Sequence, residues 1–122
     1  MFLSKESGLT IAAEAGIWNA KAAATLLRSG LTDECLRILI EPGEEGDSAK
    51  ANLEEIEATM GHVGYPRLLH GSGGSAWEFI KLAAERNYDT RTGFEDTLTL
   101  PDGSMAKNNA ALVAEALWII SS

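Results

Sequence analysis

Ionisable side chains that could do acid–base or metal chemistry recur in this sequence within or at the ends of short apolar runs. Carboxylates and imidazoles transfer protons in catalysis and bind divalent metals. A single ionisable side chain in such a position carries little information. When several apolar runs each have one, the side chains predict a shared site. We place these side chains at or near the carboxyl ends of their runs: Glu14, Glu41, His70 and the adjacent pair Glu95 and Asp96.

The stretch 90–96 ends in the carboxylate pair and is interpreted as an extended strand. Adjacent side chains of a strand point to opposite faces, so Glu95 and Asp96 cannot share a proton. One could ligate a metal while the other faces a neighbour, or both could cap the following turn. Arg91, Gly93 and Glu95 would share one face, where an arginine and a glutamate need partners if they are buried.

His70 leads into the glycine-rich segment 71–75, which precedes a helix. Backbone N–H groups and the helix dipole could bind an anion such as phosphate there, or the glycines could simply permit a tight turn. Ser75 and Glu78 have the spacing of a capping box. We interpret His70 as an oriented site residue, with a buried core histidine as the alternative, and Glu41 as an exposed turn residue rather than a site acid.

Strand and helix patterns alternate along the chain, which predicts an α/β fold of four consecutive βα units. Such alternation indicates a parallel sheet with right-handed crossovers, in which ligands bind at the carboxyl ends of the strands. Either a small open sheet or half of a barrel fits the spacing. The predicted strands are 11–18, 36–42, 66–71 and 90–96, and helices are predicted from 20 to 29, from about 47, from 75 to 86 and from about 110.

Length and composition narrow the classes of protein. The 122 residues suffice for a single domain, and the net charge of −8 with scattered basic residues argues against nucleic acid as a partner. The single cysteine, Cys35, allows no disulfide within the chain. No apolar run approaches the ~20 residues of a membrane span, and the first residues do not form a secretion signal. We therefore expect a soluble, cytoplasmic protein with no membrane partner.

Three segments carry a family resemblance: 69–77 around the glycine-rich loop, 89–98 with its R-x-G-x-E-D pattern, and the L-P-D-G turn at 100–103. Together they resemble the β-keto acid cleavage enzymes, a family that includes the 3-keto-5-aminohexanoate cleavage enzyme. The segments 13–18 and 37–42 are similar to that family's fifth and sixth strands. The resemblance implies the C-terminal half of a (β/α)₈ TIM barrel, with residues 1–122 forming one partial domain.

The resemblance also implies a chemistry. The family exchanges acyl groups between a β-keto acid and acetyl-CoA, giving acetoacetate and a new acyl-CoA, with a divalent metal that is usually zinc. Matched by motif, Glu95 would be the carboxylate metal ligand, while Arg91 and Asp96 would handle proton transfer and the developing enolate. The implied substrate-binding residues are Glu14, His70, Gly71, Ser72 and Gly73.

One departure from the family pattern concerns the metal. Family members bind it with an early His-x-His pair, but the only histidines here are His62 and His70. We therefore expect incomplete zinc binding and little turnover from this chain alone. We expect a truncated product, or a chain that pairs with a complementary half-barrel or with itself. The alternative is a stand-alone or dimerising α/β module that binds a phosphorylated small ligand.

Overall fold

The computed structural model describes residues 14–32, 35–43, 46–61 and 65–122, with side chains from residue 48 onward in the third range. Three strand–helix pairs follow one another along the described chain, and a fourth helix comes after them with no strand before it, so the predicted fourth βα unit lacks its strand. A short 3₁₀ turn, Gly73–Ser75, precedes the third helix. The elements are β1 (Glu14–Ile17), α1 (Ala20–Ser29), β2 (Arg37–Ile40), α2 (Gly46–Met60), β3 (Arg67–Leu69), α3 (Ala76–Arg86) and α4 (Asn109–Ser121).

The three strands form one parallel sheet in the order β1-β2-β3. Ile17 lies beside Ile40, and Ile40 lies beside Leu69, so the three strands end at nearly the same level. The predicted α/β class and parallel pairing are confirmed, and the arrangement is consistent with part of a (β/α)₈ barrel. The carboxyl ends of the strands therefore form one edge at which side chains can meet.

The predicted fourth strand, 90–96, is wrong. The chain makes a single parallel bridge, between Leu68 and Asp89, and then leaves the sheet. The Thr90 hydroxyl donates to the carbonyl of Leu69 at 2.8 Å. A turn follows, in which the N–H groups of Asp96 and Thr97 both donate to the carbonyl of Gly93. Because local hydrogen bonds replace the ladder, the predicted common strand face of Arg91, Gly93 and Glu95 does not exist.

The core lies between the sheet and the helices. Ile17, Ile40 and Leu69 point from the strands toward the helices and are almost fully buried. Helical side chains such as Leu53 and Phe79 complete this cluster with no exposed surface. Since side chains alternate along a strand, the residues between and after these positions point to the opposite face. Because the core takes one face of the sheet, only the strand residues that point to the other face can form a site there.

Helix α1 begins and ends as its sequence predicts. The side chain of Asn19 accepts a hydrogen bond from the Ala22 N–H at 2.8 Å, and Gly30 closes the helix at φ 71°. The predicted capping box of α3 is wrong, because Ser75 lies in the preceding 3₁₀ turn with helical backbone angles and makes no capping bond. Its side chain is buried instead.

Replacing Asn19 with alanine should lower the free energy of unfolding by about 1 kcal/mol, because the Ala22 N–H loses its acceptor. Thermal or urea unfolding followed by circular dichroism measures the change. Asn19→Asp is the matched control, since aspartate also caps and its charge suits the helix dipole. Equal losses in both variants would contradict the capping role.

Candidate active site

Glu41 and His70 lie side by side at the carboxyl ends of β2 and β3. The hydrogen bonds of the sheet continue one residue past β2 and β3. The N–H of Glu41 donates to the carbonyl of Ile17 at 3.0 Å, and the N–H of His70 donates to the carbonyl of Ile40 at 3.1 Å. Both side chains therefore point away from the buried face that holds Ile40. The Nε2 atom of His70 is 3.4 Å from a carboxylate oxygen of Glu41.

The His70 imidazole is the buried centre of the site. Its side chain has no exposed surface, and its Nδ1 atom lies 3.4 Å from a carboxylate oxygen of Asp96. Neither ring nitrogen makes a well-formed hydrogen bond to a described residue. The ring is thus held between two carboxylates, from Glu41 on one side and Asp96 on the other, and it separates them. The interpretation of His70 as a site residue stays a prediction.

Asp96 and Glu95, although adjacent, have opposite environments. The Asp96 side chain is 6% exposed, and its second oxygen lies 3.5 Å from Nε of Arg91. The Glu95 side chain is 88% exposed, and its contact with Arg91 is loose at 4.0 Å. The carboxylates of Glu95 and Asp96 point to different sides, as the sequence predicts. A turn at 93–96 directs them there, and not the alternation of side chains along a strand.

A carboxylate between a guanidinium and an imidazole can act as a general base. Asp96 is shielded from water, while its two oxygens face Arg91 and His70. A charged partner orients the carboxylate, and a positioned carboxylate can accept a proton from a carbon acid within hydrogen-bond reach. The exposed side of Arg91 remains open to an anionic group.

The glycine-rich loop is tied to the same site through its backbone. The N–H of Gly73 donates to the carbonyl of Asp96 at 2.7 Å, and that of Ser75 donates to Ser72 at 3.2 Å. These two amides are occupied, which leaves less of the loop for an anion than the sequence predicted. Ser72 and Gly73 are exposed, whereas Gly71 is buried beneath α3. The assignment of these three residues to substrate or CoA binding stays a prediction.

The predicted location of Glu14 at the carboxyl end of its strand is wrong. Glu14 is the first residue of β1 and lies beside Arg37, the first residue of β2. Arg37 donates to both carboxylate oxygens of Glu14, at 3.0 and 3.4 Å, and to Asp89 at 3.0 Å. The hydrogen bond to Glu14 contributes most to raising the pKa of Arg37, and the hydrogen bond to Asp89 raises it further. Glu14 thus joins an ion-pair cluster at the far end of the sheet, and its contact with substrate stays a prediction.

No group of three or more His, Cys, Asp and Glu side chains in the described ranges is arranged to hold a metal ion. Glu95 offers an accessible carboxylate, but the described residues do not supply the further ligands that zinc needs. His62 lies outside the described residues. No described helix is long and apolar enough to cross a membrane.

Glu41 contacts the candidate site, a contact that the sequence did not predict. We interpreted it as an exposed turn residue because Pro42 and Gly43 follow it. Its side chain is indeed 47% exposed, yet it contacts His70. The available signal was register, because Glu41 and His70 each come one residue after a strand and therefore share a face. Register depends on which strands pair, so sequence alone does not supply it.

A second polar cluster lies between the ends of α2 and α3, away from the site. One carboxylate oxygen of Glu57 accepts hydrogen bonds from Nε of Arg86 and from the Tyr88 hydroxyl, each at 2.7 Å. Arg67 donates to the same hydroxyl at 3.1 Å and to the carbonyl of Gly61 at 2.8 Å. The cluster joins two helices to the start of β3.

Burial, and then the hydrogen bond to Glu57, raise the pKa of Tyr88 above its ordinary value of 10.0. The unfolded chain loses the phenolic proton first as pH rises, so stability should fall from about pH 10 until the folded pKa is passed. Spectrophotometric titration at the tyrosinate band measures the Tyr88 pKa. Glu57→Gln should lower that pKa, because the variant removes the negative charge beside the hydroxyl. A Tyr88 pKa at or below the ordinary value would contradict the geometry.

Ionisable side chains gathered at the carboxyl ends of parallel strands are the arrangement typical of α/β enzymes. The family model described as beta-keto acid cleavage enzyme matches residues 12–122, and the chain belongs to that family. Comparison with curated proteins gives no match. The family resemblance carried by the loop and the R-x-G-x-E-D stretch is thereby confirmed.

Proposed function

We propose that this chain supplies the acid–base part of a β-keto acid cleavage site. The reaction proposed is the exchange of acyl groups between a β-keto acid and acetyl-CoA, which yields acetoacetate and a new acyl-CoA. One observation carries the proposal: the buried Asp96 carboxylate contacts both Arg91 and His70 at the carboxyl ends of the strands. Family membership supports the class of substrate.

Asp96 is the proposed base. A β-keto acid loses a proton to Asp96 from the carbon between its two carbonyl groups, and the resulting enolate attacks the acyl carbon of acetyl-CoA and displaces the CoA thiolate. The thiolate then adds to the original ketone carbon, and the bond from that carbon to the central carbon breaks, which releases the new acyl-CoA. The acetoacetate enolate that leaves takes the proton back from Asp96. A water-shielded carboxylate suits the first step, because it is not solvated by bulk water. Arg91 has its Nε toward Asp96 and is 42% exposed, so its guanidinium can also hold the substrate carboxylate or enolate oxygen.

Divalent metal and acetyl-CoA belong to the proposal through the family resemblance. Glu95, at 88% exposure, is the described side chain best placed to serve as a carboxylate ligand of zinc. The other ligands must come from residues outside the described set or from another chain. His70, Gly71, Ser72 and Gly73 are proposed to border the substrate or CoA, with the exposed Ser72 and Gly73 the most accessible of them.

A stand-alone module that binds a phosphorylated ligand is the second candidate. The exposed segment from Ser72 to Gly74, just before α3, favours it. The donation from Gly73 to the Asp96 carbonyl counts against it, because that amide would otherwise face the anion. Acid–base chemistry therefore accounts for more of the observed contacts.

Complementation tests the proposal. The chain would be mixed with the N-terminal half-barrel of a family member that carries the His-x-His pair, with zinc, acetyl-CoA and a β-keto acid, and acetoacetate would be measured. We expect turnover in the mixture and a loss of about 10² to 10⁴-fold with Asp96→Asn, because a positioned base contributes that much. Glu95→Ala should abolish zinc-dependent turnover.

The outcomes separate the parts of the proposal. Turnover that is unchanged in Asp96→Asn would remove Asp96 as the base. Turnover by the chain without its complement would show that it holds a complete site. Lys50→Glu, an exposed change on α2, is the control for nonspecific effects of altered charge.

A further inference from the structure

The turn that carries Glu95 and Asp96 has few hydrogen bonds of its own. The carbonyl of Gly93 accepts hydrogen bonds from the N–H groups of Asp96 and Thr97, at 3.0 and 3.1 Å. Gly93 has no side chain, so its backbone is freer than that of other residues. The middle of the turn, Phe94 and Glu95, is exposed. The bonds within the turn set its shape, but they do not fix its place relative to the sheet.

Asn109 connects this turn to helix α4. The N–H of Phe94 takes no part in the two bonds to Gly93, and it donates to Oδ1 of the Asn109 side chain at 3.0 Å. The same oxygen would lie 3.8 Å from a Cβ added at Gly93, so it contacts the first half of the turn. Asn109 is the first residue of α4. The place of the turn therefore depends on the place of this helix.

Helix α4 is held firmly enough to serve as the anchor. It packs against α3 and buries Leu112 and Ala116. Its first turn is capped by Asn108, whose side chain accepts a hydrogen bond from the Ala111 N–H at 2.9 Å. The two adjacent asparagines thus have different partners. Asn108 bonds within the helix, whereas Asn109 bonds to the turn that carries the carboxylates.

We propose that Asn109 is a positioning residue, which holds the turn 93–96 so that the carboxylate of Asp96 stays against His70. The glycine-rich loop holds the other end of the turn, because the N–H of Gly73 donates to the carbonyl of Asp96 at 2.7 Å. A displacement of about 1 Å in a catalytic site can lower a rate by about 10²-fold. The effect on turnover rests on the proposed role of Asp96 as the base, whereas the effect on the geometry of the turn does not.

Nuclear magnetic resonance and amide hydrogen exchange of the chain itself test the geometry. In Asn109→Ala the Phe94 amide loses its acceptor, and we expect it to exchange about tenfold faster. The imidazole signals of His70 should also shift, because the ring lies 3.4 Å from Asp96. Asn109→Asp keeps an acceptor oxygen and should restore both. Asn108→Ala is the matched control, since it removes the cap of α4 and should lower the melting temperature without changing either signal.

Turnover in the complementation assay tests the consequence for catalysis. We expect Asn109→Ala to lower kcat by about tenfold or more with KM nearly unchanged, because it moves the base and removes no proposed substrate contact. Asn109→Asp should recover most of the loss, and Asn108→Ala should turn over like the unaltered chain. Phe94 exchange that Asn109→Ala leaves unchanged, or that Asn108→Ala raises equally, would overturn the proposal. So would a kcat that Asn109→Ala does not lower.

Failure of the proposed function gives a different pattern. If the unaltered chain and its complement form no acetoacetate, the acid–base role of Asp96 fails. The Phe94 exchange and the His70 signals then still decide whether Asn109 holds the turn, because both are measured on the chain without substrate.

Discussion

Replacing Gly71 with alanine should destabilise the protein by about 1–3 kcal/mol, because the site has no room for a methyl group. An added Cβ would lie 2.7 Å from Cδ2 of Phe79 and 3.0 Å from the carbonyl oxygen of Ser75. Phe79 is fully buried and cannot swing away, and Ser75 O belongs to the backbone. The chain must therefore shift next to His70, which would move the imidazole relative to Asp96. Urea unfolding measures the free energy.

Gly74→Ala is the matched control for this prediction. Gly74 lies in the same loop, but an added Cβ there would meet nothing within 4 Å. We expect its free energy of unfolding to change by less than about 0.5 kcal/mol, as for other surface substitutions. Equal losses at Gly71 and Gly74 would mean that general loop stiffness, and not the contact with Phe79, sets the effect.

Phe79→Ala should cost more, about 3–5 kcal/mol of unfolding free energy, because it removes a large side chain from the core. Phe79 has no exposed surface and belongs to the cluster between the sheet and the helices. Typical domains are stable by only about 5–15 kcal/mol, so this variant should be close to unfolding at ambient temperature. Trp77→Phe on the same helix is a milder comparison, since it loses chiefly the hydrogen bond to the Thr99 carbonyl.

The double variant links the two predictions. In the Phe79→Ala background the nearest atom that Gly71→Ala would strike is gone, so the cost of the added methyl should fall. The coupling between the two changes should be about 1 kcal/mol, a usual value for residues in contact. Strictly additive costs would show that the Ser75 backbone alone opposes the methyl group.

Local sequence signals predicted much of the fold correctly. Helix α1 begins after Asn19 and ends at Gly30 because capping and left-handed glycine conformations depend on neighbouring residues. Strand β2 follows from a nearly continuous aliphatic run, typical of a strand covered on both sides. The sequence also placed Glu41 and His70 near the carboxyl ends of the predicted strands 36–42 and 66–71, whereas the observed strands end one residue before them.

Long-range pairing explains the wrong predictions. In the stretch 90–96 the hydroxyl of Thr90 and the carbonyl of Gly93 take hydrogen bonds out of the ladder. Gly93, Glu95 and Asp96 are also residue types that strands disfavour. Glu14 was assigned to the wrong end of its strand because sequence does not show where pairing begins. In the structure it pairs with Arg37, a residue distant in sequence. Strand bounds and register are properties of partners, not of single segments.

By itself, the sequence determined the α/β class, the principal helices and the family, because local periodicity and short motifs encode these features. It also singled out Arg91 and Asp96 as catalytic residues and Glu95 as a metal ligand, roles that stay predictions. Only the tertiary structure decided that Asp96 is buried against His70 while Glu95 faces solvent. It also placed Glu41 in the site. The environment of a side chain depends on segments far apart in the chain, and these meet only when the sheet has formed.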